Sequence, residues 1–163
     1  RQAATRHPFA TCGMTGFKQP ISVLVVIYTP ALEVLLLERA AHPGFWQSVT
    51  GSREADEELI ATACREVAEE TGIDTVGHPP EDWQITNTFE IFAEWRHRYA
   101  PGVTQNTEHV FGLQLREKCE ISIAPGEHRD WLWMPWQKAA ERCFSWSNRD
   151  AILLLPQRLI RSS

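Results

Sequence analysis

The chain has 163 residues, 43% hydrophobic and 23% charged, with a formal net charge of −5. That size and mixture suit one compact domain with a sizeable core and exclude a disordered or fibrous chain. The acidic balance excludes a broad non-specific grip on nucleic acid, and no apolar run approaches the roughly 20 residues that cross a bilayer.

Residues 1–17 read as a loose leader without the continuous apolar segment of a signal peptide. Residues 18–163 read as one domain, with no repeat or linker to divide it. Ile21–Tyr28 is β-branched and nearly all apolar, the pattern of a central strand buried on both faces. Thr29, Pro30 and Ala31 turn the chain into a second strand over residues 34–37, which ends at the polar pair Glu38 and Arg39. His42, Pro43 and Gly44 form a loop. Residues 56–71 then switch to helical periodicity. Asp56 suits the N-cap, Glu57 and Glu58 the first turn, and Gly72 a left-handed close.

Two further strands are expected over residues 83–95 and 108–115, joined by a loop around residues 99–102, and a shorter one over residues 131–134. Ser147 and Asp150 have capping-box spacing, which opens a last helix through residues 152–155 that Pro156 ends or kinks. Trp131, Trp133 and Trp136 are expected to pack the sheet and the last helices. Four cysteines, Cys12, Cys64, Cys119 and Cys143, are scattered without a CxxC pair. That spacing points to reduced, structural thiols and to the cytosol.

The most informative stretch is the predicted first helix. Glu66, Glu69 and Glu70 are related by three and four residues, so their carboxylates share one side of the cylinder. Like charges at that spacing cost about 0.2–0.5 kcal/mol per pair, which a cation between them would offset. Magnesium is the natural choice: it is hard, prefers oxygen, and is shared between a few carboxylates and substrate phosphates. Taken alone, three glutamates are also what a solvated helix face looks like. Ile60, Ala63, Cys64 and Val67 occupy the other arc and can anchor the helix on a sheet.

The whole segment resembles the Nudix box: Gly51, five residues, Glu57, seven residues, then Arg65-Glu66-Val67, Glu69-Glu70 and Gly72-Ile73. Every fixed position of the motif is met; Asp56 stands where many members carry glycine. The resemblance implies an α/β fold, the Nudix α/β/α sandwich with a mixed sheet between helices. It implies a pyrophosphohydrolase that uses Mg2+, with Mn2+ able to substitute. By position, Glu66 and Glu70 resemble the primary metal ligands, Glu69 a ligand or general base, and Gly51 the residue whose carbonyl contacts metal. Glu57 and Arg65 resemble the pair that braces the box. Nudix members often add a carboxylate from a later loop, which makes Glu127 a catalytic and metal-binding candidate, Glu120 a weaker one, and a polar turn residue the plain alternative.

Other segments are similar to one subgroup of that family. They are residues 18–28, 45–52, 96–104 with Asn106, Thr107 and Glu108, and 145–149. That subgroup removes pyrophosphate from 7,8-dihydroneopterin triphosphate, an early step towards folate, and is also described acting on dATP. The implied partner is therefore a small triphosphate, with no nucleic acid polymer and no membrane, and house-cleaning of damaged nucleotides is the alternative. Lys18 and Arg39 could hold the polyphosphate, with a hydroxyl from Thr50. Arg96, His97 and Arg98 form a second basic cluster. A flat ring needs an apolar slot with few polar groups. Phe89, Glu90, Ile91 and Phe92 are candidates for it, with Ser145 offering a hydroxyl. Phe89 and Ile91 alternate with Glu90 and Phe92, so one pair is core.

Overall fold

The computed structural model describes residues 16–160, so the expected leader lies almost wholly outside the described residues. β1 (Ile21–Tyr28) runs through the middle of a seven-stranded mixed sheet. β6 (Gln105–Gln114) lies parallel to it on one side and carries antiparallel β5 (Glu81–Glu90) at the edge. On the other side β2 (Glu33–Arg39) is followed by β7 (His128–Pro135). Between β1 and β2 the chain is split: β3 (Trp46–Gln47) pairs with β2, and β4 (Val49–Ser52) pairs with β1.

Helices cover both faces. Leu24, Val26 and Tyr28 pack with Ala139 and Ala140 of α2 (Trp136–Arg142), Ala151 and Ile152 of α3 (Trp146–Leu153) and Leu155 of α4 (Leu155–Arg158). Val23, Val25 and Ile27 point the other way, onto Ala63 and Val67 of α1 (Leu59–Thr71). The uninterrupted apolar run of β1 thus follows from burial on both sides, each such side chain contributing about 1.5–3 kcal/mol. This is the expected mixed sheet between helices.

The divide between β3 and β4 is held by a buried side chain. Asn148 of α3 accepts the Ser48 N–H at 2.7 Å and donates to Ser48 Oγ at 2.9 Å. Both groups would otherwise be unpaired where the two short strands part.

Four sequence expectations need correction. Asp56 is not the N-cap of α1. The chain stays a loop until Glu58, whose backbone is extended (φ −68°, ψ 148°), and Glu57 and Glu58 precede the helix. The cause is Glu57, whose carboxylate accepts the Glu54 N–H and is claimed by Arg65, holding the segment out of the helix. The strand expected over residues 83–95 stops at Glu90. A short 3-10 helix, Ala93–Arg98, follows it, and Arg96 Nε donates back to the Ile91 carbonyl. The cap of α3 is Ser145, whose Oγ accepts the Asn148 N–H at 3.2 Å, while Ser147 is buried. The last helix is not continuous over residues 152–155: α3 ends at Leu153 and α4 carries Pro156 in its first turn. Gly72 does close α1 in the left-handed region, at φ 74°.

Candidate active site

The carboxylates of α1 part company on folding. Glu70 is 1% exposed and Glu66 8%, both turned towards the sheet, while Glu69 is exposed and gives Oε2 to Arg65 Nη1 at 3.3 Å. Arg65 is the hub of the box. Its Nε and Nη2 donate to Glu57 at 2.9 Å each, Nη2 donates to the Ser52 carbonyl, and Nη1 reaches Glu66 at 2.8 Å. One guanidinium therefore ties the loop before α1 to β4 and to the helix face. Hydrogen bonds from Arg65, more than any other cause, bring the Glu57 carboxyl down to about 2.

Gly51 lies against Glu66 so closely that a Cβ there would fall 2.0 Å from the Glu66 Cδ. A glycine at this point lets the carboxylate lie directly on the β4 backbone. Burial, and then the neighbouring Glu66 carboxylate, hold Glu70 well above the usual carboxylate range; burial also raises Glu66, against the pull of Arg65.

β7 begins at the same place. A bulge pairs Glu38 with Asp130 but Arg39 with His128, leaving Arg129 as the extra residue, and this turn in the ladder brings His128 under α1. His128 is buried, its Nε2 3.4 Å from Glu70 Oε1. Burial, then the charge of Arg39, takes its imidazole down to about 4, so at neutral pH the ring is uncharged. One oxygen each from Glu70 and exposed Glu127 and a nitrogen of His128 lie within 4.8 Å of one another. Glu70 Oε2 is buried without a hydrogen-bond partner. Crowded carboxylates, a neutral imidazole and an orphaned buried oxygen form a donor set that a divalent cation fits. Glu120 is exposed and lies outside this group.

Positive charge stands beside it. Arg39 is half-buried at the end of β2, its Nη1 donating to Gln47 Oε1 at 3.3 Å. Partial desolvation, then Arg98, lowers its pKa, while Glu70 and Glu127 act the other way. Lys18, exposed and bonded through its N–H to the Arg98 carbonyl, is lowered by desolvation and by Arg98 and Arg39, and steadied by Glu66 and Glu127. Three cations facing a carboxylate cluster make a cradle for a polyanion that brings its own counter-ions. Thr50 Oγ1 donates to the Val23 carbonyl at 2.9 Å, so its proton is already placed.

The Arg39 guanidinium also lies 4.9 Å from the centre of the Trp95 ring. Trp95 continues an aromatic ladder: Phe92 edge-on at 5.0 Å, His42 at 5.5 Å, then Phe45 stacked on His42 at 5.3 Å and on Phe144 at 4.9 Å. Of the ring candidates from sequence, exposed Phe92 joins this ladder, Phe89 is half-buried, Ile91 is core, and Glu90 is exposed at 4.0 Å from Arg96. Ser145 lies next to Phe144 as the α3 cap. Sequence reading left out His128, Trp95, His42, Phe45 and Phe144. The only hint for His128 was its place beside Glu127; the aromatics come from three separate loops with no common periodicity.

The profile of the NUDIX domain matches residues 18–155. The chain belongs to the Nudix family. This Nudix chain is 48% identical over 139 residues to a dihydroneopterin triphosphate diphosphatase of Escherichia coli (strain K12), covering 83% of this chain and 91% of that one. Its identity to a protein of the same name from Haemophilus influenzae is 42% over 142 residues, covering 85% and 89%. The solved structure of the E. coli dihydroneopterin triphosphate pyrophosphohydrolase superposes with a TM-score of 0.78, covering 83% of this chain and 94% of that one. The Nudix chain is thus a hydrolase of the pyrophosphohydrolase type, from a family that uses divalent metal ions. No helix among the described residues is long and apolar enough to cross a membrane.

Proposed function

We propose that this Nudix enzyme hydrolyses 7,8-dihydroneopterin triphosphate to the monophosphate and pyrophosphate, with Mg2+ as its metal, as one domain over residues 18–163 in the cytosol. The observation that carries the reading is the meeting, at one end of the sheet, of the Glu66–Glu70 pair and its orphaned oxygen with Lys18, Arg39 and Arg98. The relatives' shared name supplies the substrate. Magnesium is favoured over softer ions because carboxylate oxygens dominate the donor set.

Glu66, Glu70 and Glu127 would hold the cation, with Gly51 offering a carbonyl. Bound there, it supplies charge neutralisation for phosphate oxygens and activation of water. The protein's own groups do the rest. Arg39 and Lys18 orient the polyphosphate by charge and N–H donors. Arg65 fixes the Glu66 carboxylate. A carboxylate oxygen of Glu69 or Glu127, both exposed at the rim, accepts the proton of the attacking water. The aromatic ladder offers a face to any flat ring, which makes dATP the second substrate.

A substrate screen with magnesium, reading pyrophosphate against inorganic phosphate, tests this. Dihydroneopterin triphosphate is expected to give pyrophosphate, and Glu70→Gln to lose nearly all turnover while folding normally. Release of inorganic phosphate only, or an active E70Q enzyme, would sink the reading.

A further inference from the structure

Arg39 stands beside the carboxylate cluster at the bulge in β2, yet few polar groups hold it there. Among the described residues its guanidinium makes one hydrogen bond, from Nη1 to Gln47 Oε1 at 3.3 Å, and no ion pair. Burial and then the Arg98 charge work against its positive form. One long bond to a neutral amide is a weak tether against repulsion between two guanidinium groups.

What fixes the side chain is a ring. The guanidinium carbon of Arg39 lies 4.9 Å from the centre of Trp95. A planar cation over an aromatic face is held by charge and dispersion, and none of its five N–H donors is used up. A carboxylate in the same place would also hold Arg39, but it would neutralise the charge and occupy the donors that a phosphate needs.

Trp95 is itself braced. It belongs to the short 3-10 helix Ala93–Arg98, none of whose residues is fully buried, and it alone of the six is not exposed. Its N–H donates to the Phe92 carbonyl at 2.8 Å. Its ring meets Phe92 and His42 in T-shaped contacts, and the column runs on through Phe45 to Phe144. The Phe144 N–H donates to the Trp46 carbonyl at 3.2 Å, which ties the far end of the column to β3. The other end of the helix serves a second cation: the Arg98 carbonyl accepts the Lys18 N–H at 2.8 Å, and Tyr99 pairs with Lys18. One six-residue segment thus sets the backbone of Lys18 and the side chain of Arg39.

We propose that Trp95 is a positioning residue for the polyphosphate, holding the Arg39 guanidinium beside the carboxylate cluster with its N–H groups free for phosphate oxygens. Exposed Phe92 and Phe45 remain for the ring of the substrate. The inference rests on the proposed triphosphate hydrolysis and adds what aims one of its cations.

The test is a cycle of wild type, Trp95→Leu, Arg39→Gln and the double variant. It is read by calorimetry of pyrophosphate binding in magnesium and by kcat/KM for dihydroneopterin triphosphate. Pyrophosphate carries no ring, so it reports the cradle alone. W95L is expected to weaken pyrophosphate binding and to lower kcat/KM, each about 5-fold. In the R39Q background the same change should cost less than about 2-fold, because the group it aims is gone. Pyrophosphate binding that is absent from the wild type, or unchanged in W95L, overturns the inference; a fall in kcat/KM alone would assign Trp95 to the substrate's ring instead. A loss of equal size in both backgrounds, the mark of a merely structural role, overturns it as well. A wild type that hydrolyses no dihydroneopterin triphosphate overturns the proposed function, and the pyrophosphate arm then still decides the inference. If W95L does not fold, Trp95→Gln takes its place with the same readouts.

Discussion

Replacing Gly51 by alanine puts the geometry of the box to a direct test. Gly51 is not among the positive-φ glycines, so alanine brings no backbone strain of that kind and its effect comes from the added Cβ. That atom would lie 2.0 Å from the Glu66 Cδ and 2.2 and 2.4 Å from its oxygens, where ordinary contact begins at 3.4 Å. The carboxylate must retreat by more than an ångström, which breaks its 2.8 Å bond from Arg65 and moves it away from the place proposed for the cation. Overpacking of this kind costs about 2 kcal/mol, a fall in Tm of roughly 4–8 °C for a domain of this size. A misplacement of about 1 Å at a reacting centre costs about 100-fold in rate. Thermal melts and magnesium-dependent turnover of G51A read both effects. The double mutant isolates the cause: in an E66A background, G51A should change stability by less than about 0.5 kcal/mol, because the group it collides with is gone. An equal penalty in both backgrounds, or full turnover by G51A, would refute the account.

Three further outcomes are expected. The Glu57–Arg65 pair contributes about 1–2 kcal/mol after allowance for its partial exposure. With the folded Glu57 carboxyl at about 2 against an ordinary 4.5, that stability is present above 4.5 and lost as pH falls towards 2. Melts of wild type and E57Q should therefore converge over that range, and a constant gap would contradict the sign. Asn148→Ala leaves the buried Ser48 N–H unpaired and should lower stability by about 2–4 kcal/mol in urea titrations, while a loss under about 0.5 kcal/mol would deny the clamp at the β3–β4 split. His128→Ala removes the neighbour of Glu70 and should raise the magnesium needed for half-maximal turnover by about 10–100-fold, and an unshifted metal dependence would remove His128 from the site.

The sequence alone carried the Nudix assignment, because the box is local: its glycines, glutamates and arginine act within one loop and one helix, where spacing fixes geometry. The double-sided burial of Ile21–Tyr28 was legible for the same reason. Helix boundaries were less so. Asp56 has good capping chemistry, yet Glu57 finds a stronger partner in Arg65, eight residues on, and keeps the chain unwound. Pattern also could not separate Glu69 from Glu66 and Glu70. Three residues spaced for one face divide into two buried and one exposed only when β4 is laid against the helix. What tertiary structure decided was everything assembled from distant strands. A bulge at Arg39 brings in His128, three loops build the aromatic ladder, and parallel pairing of β1 with β6 sets Ser22 beside Glu108. Such contacts depend on strand order and register, which no local spacing of residues encodes.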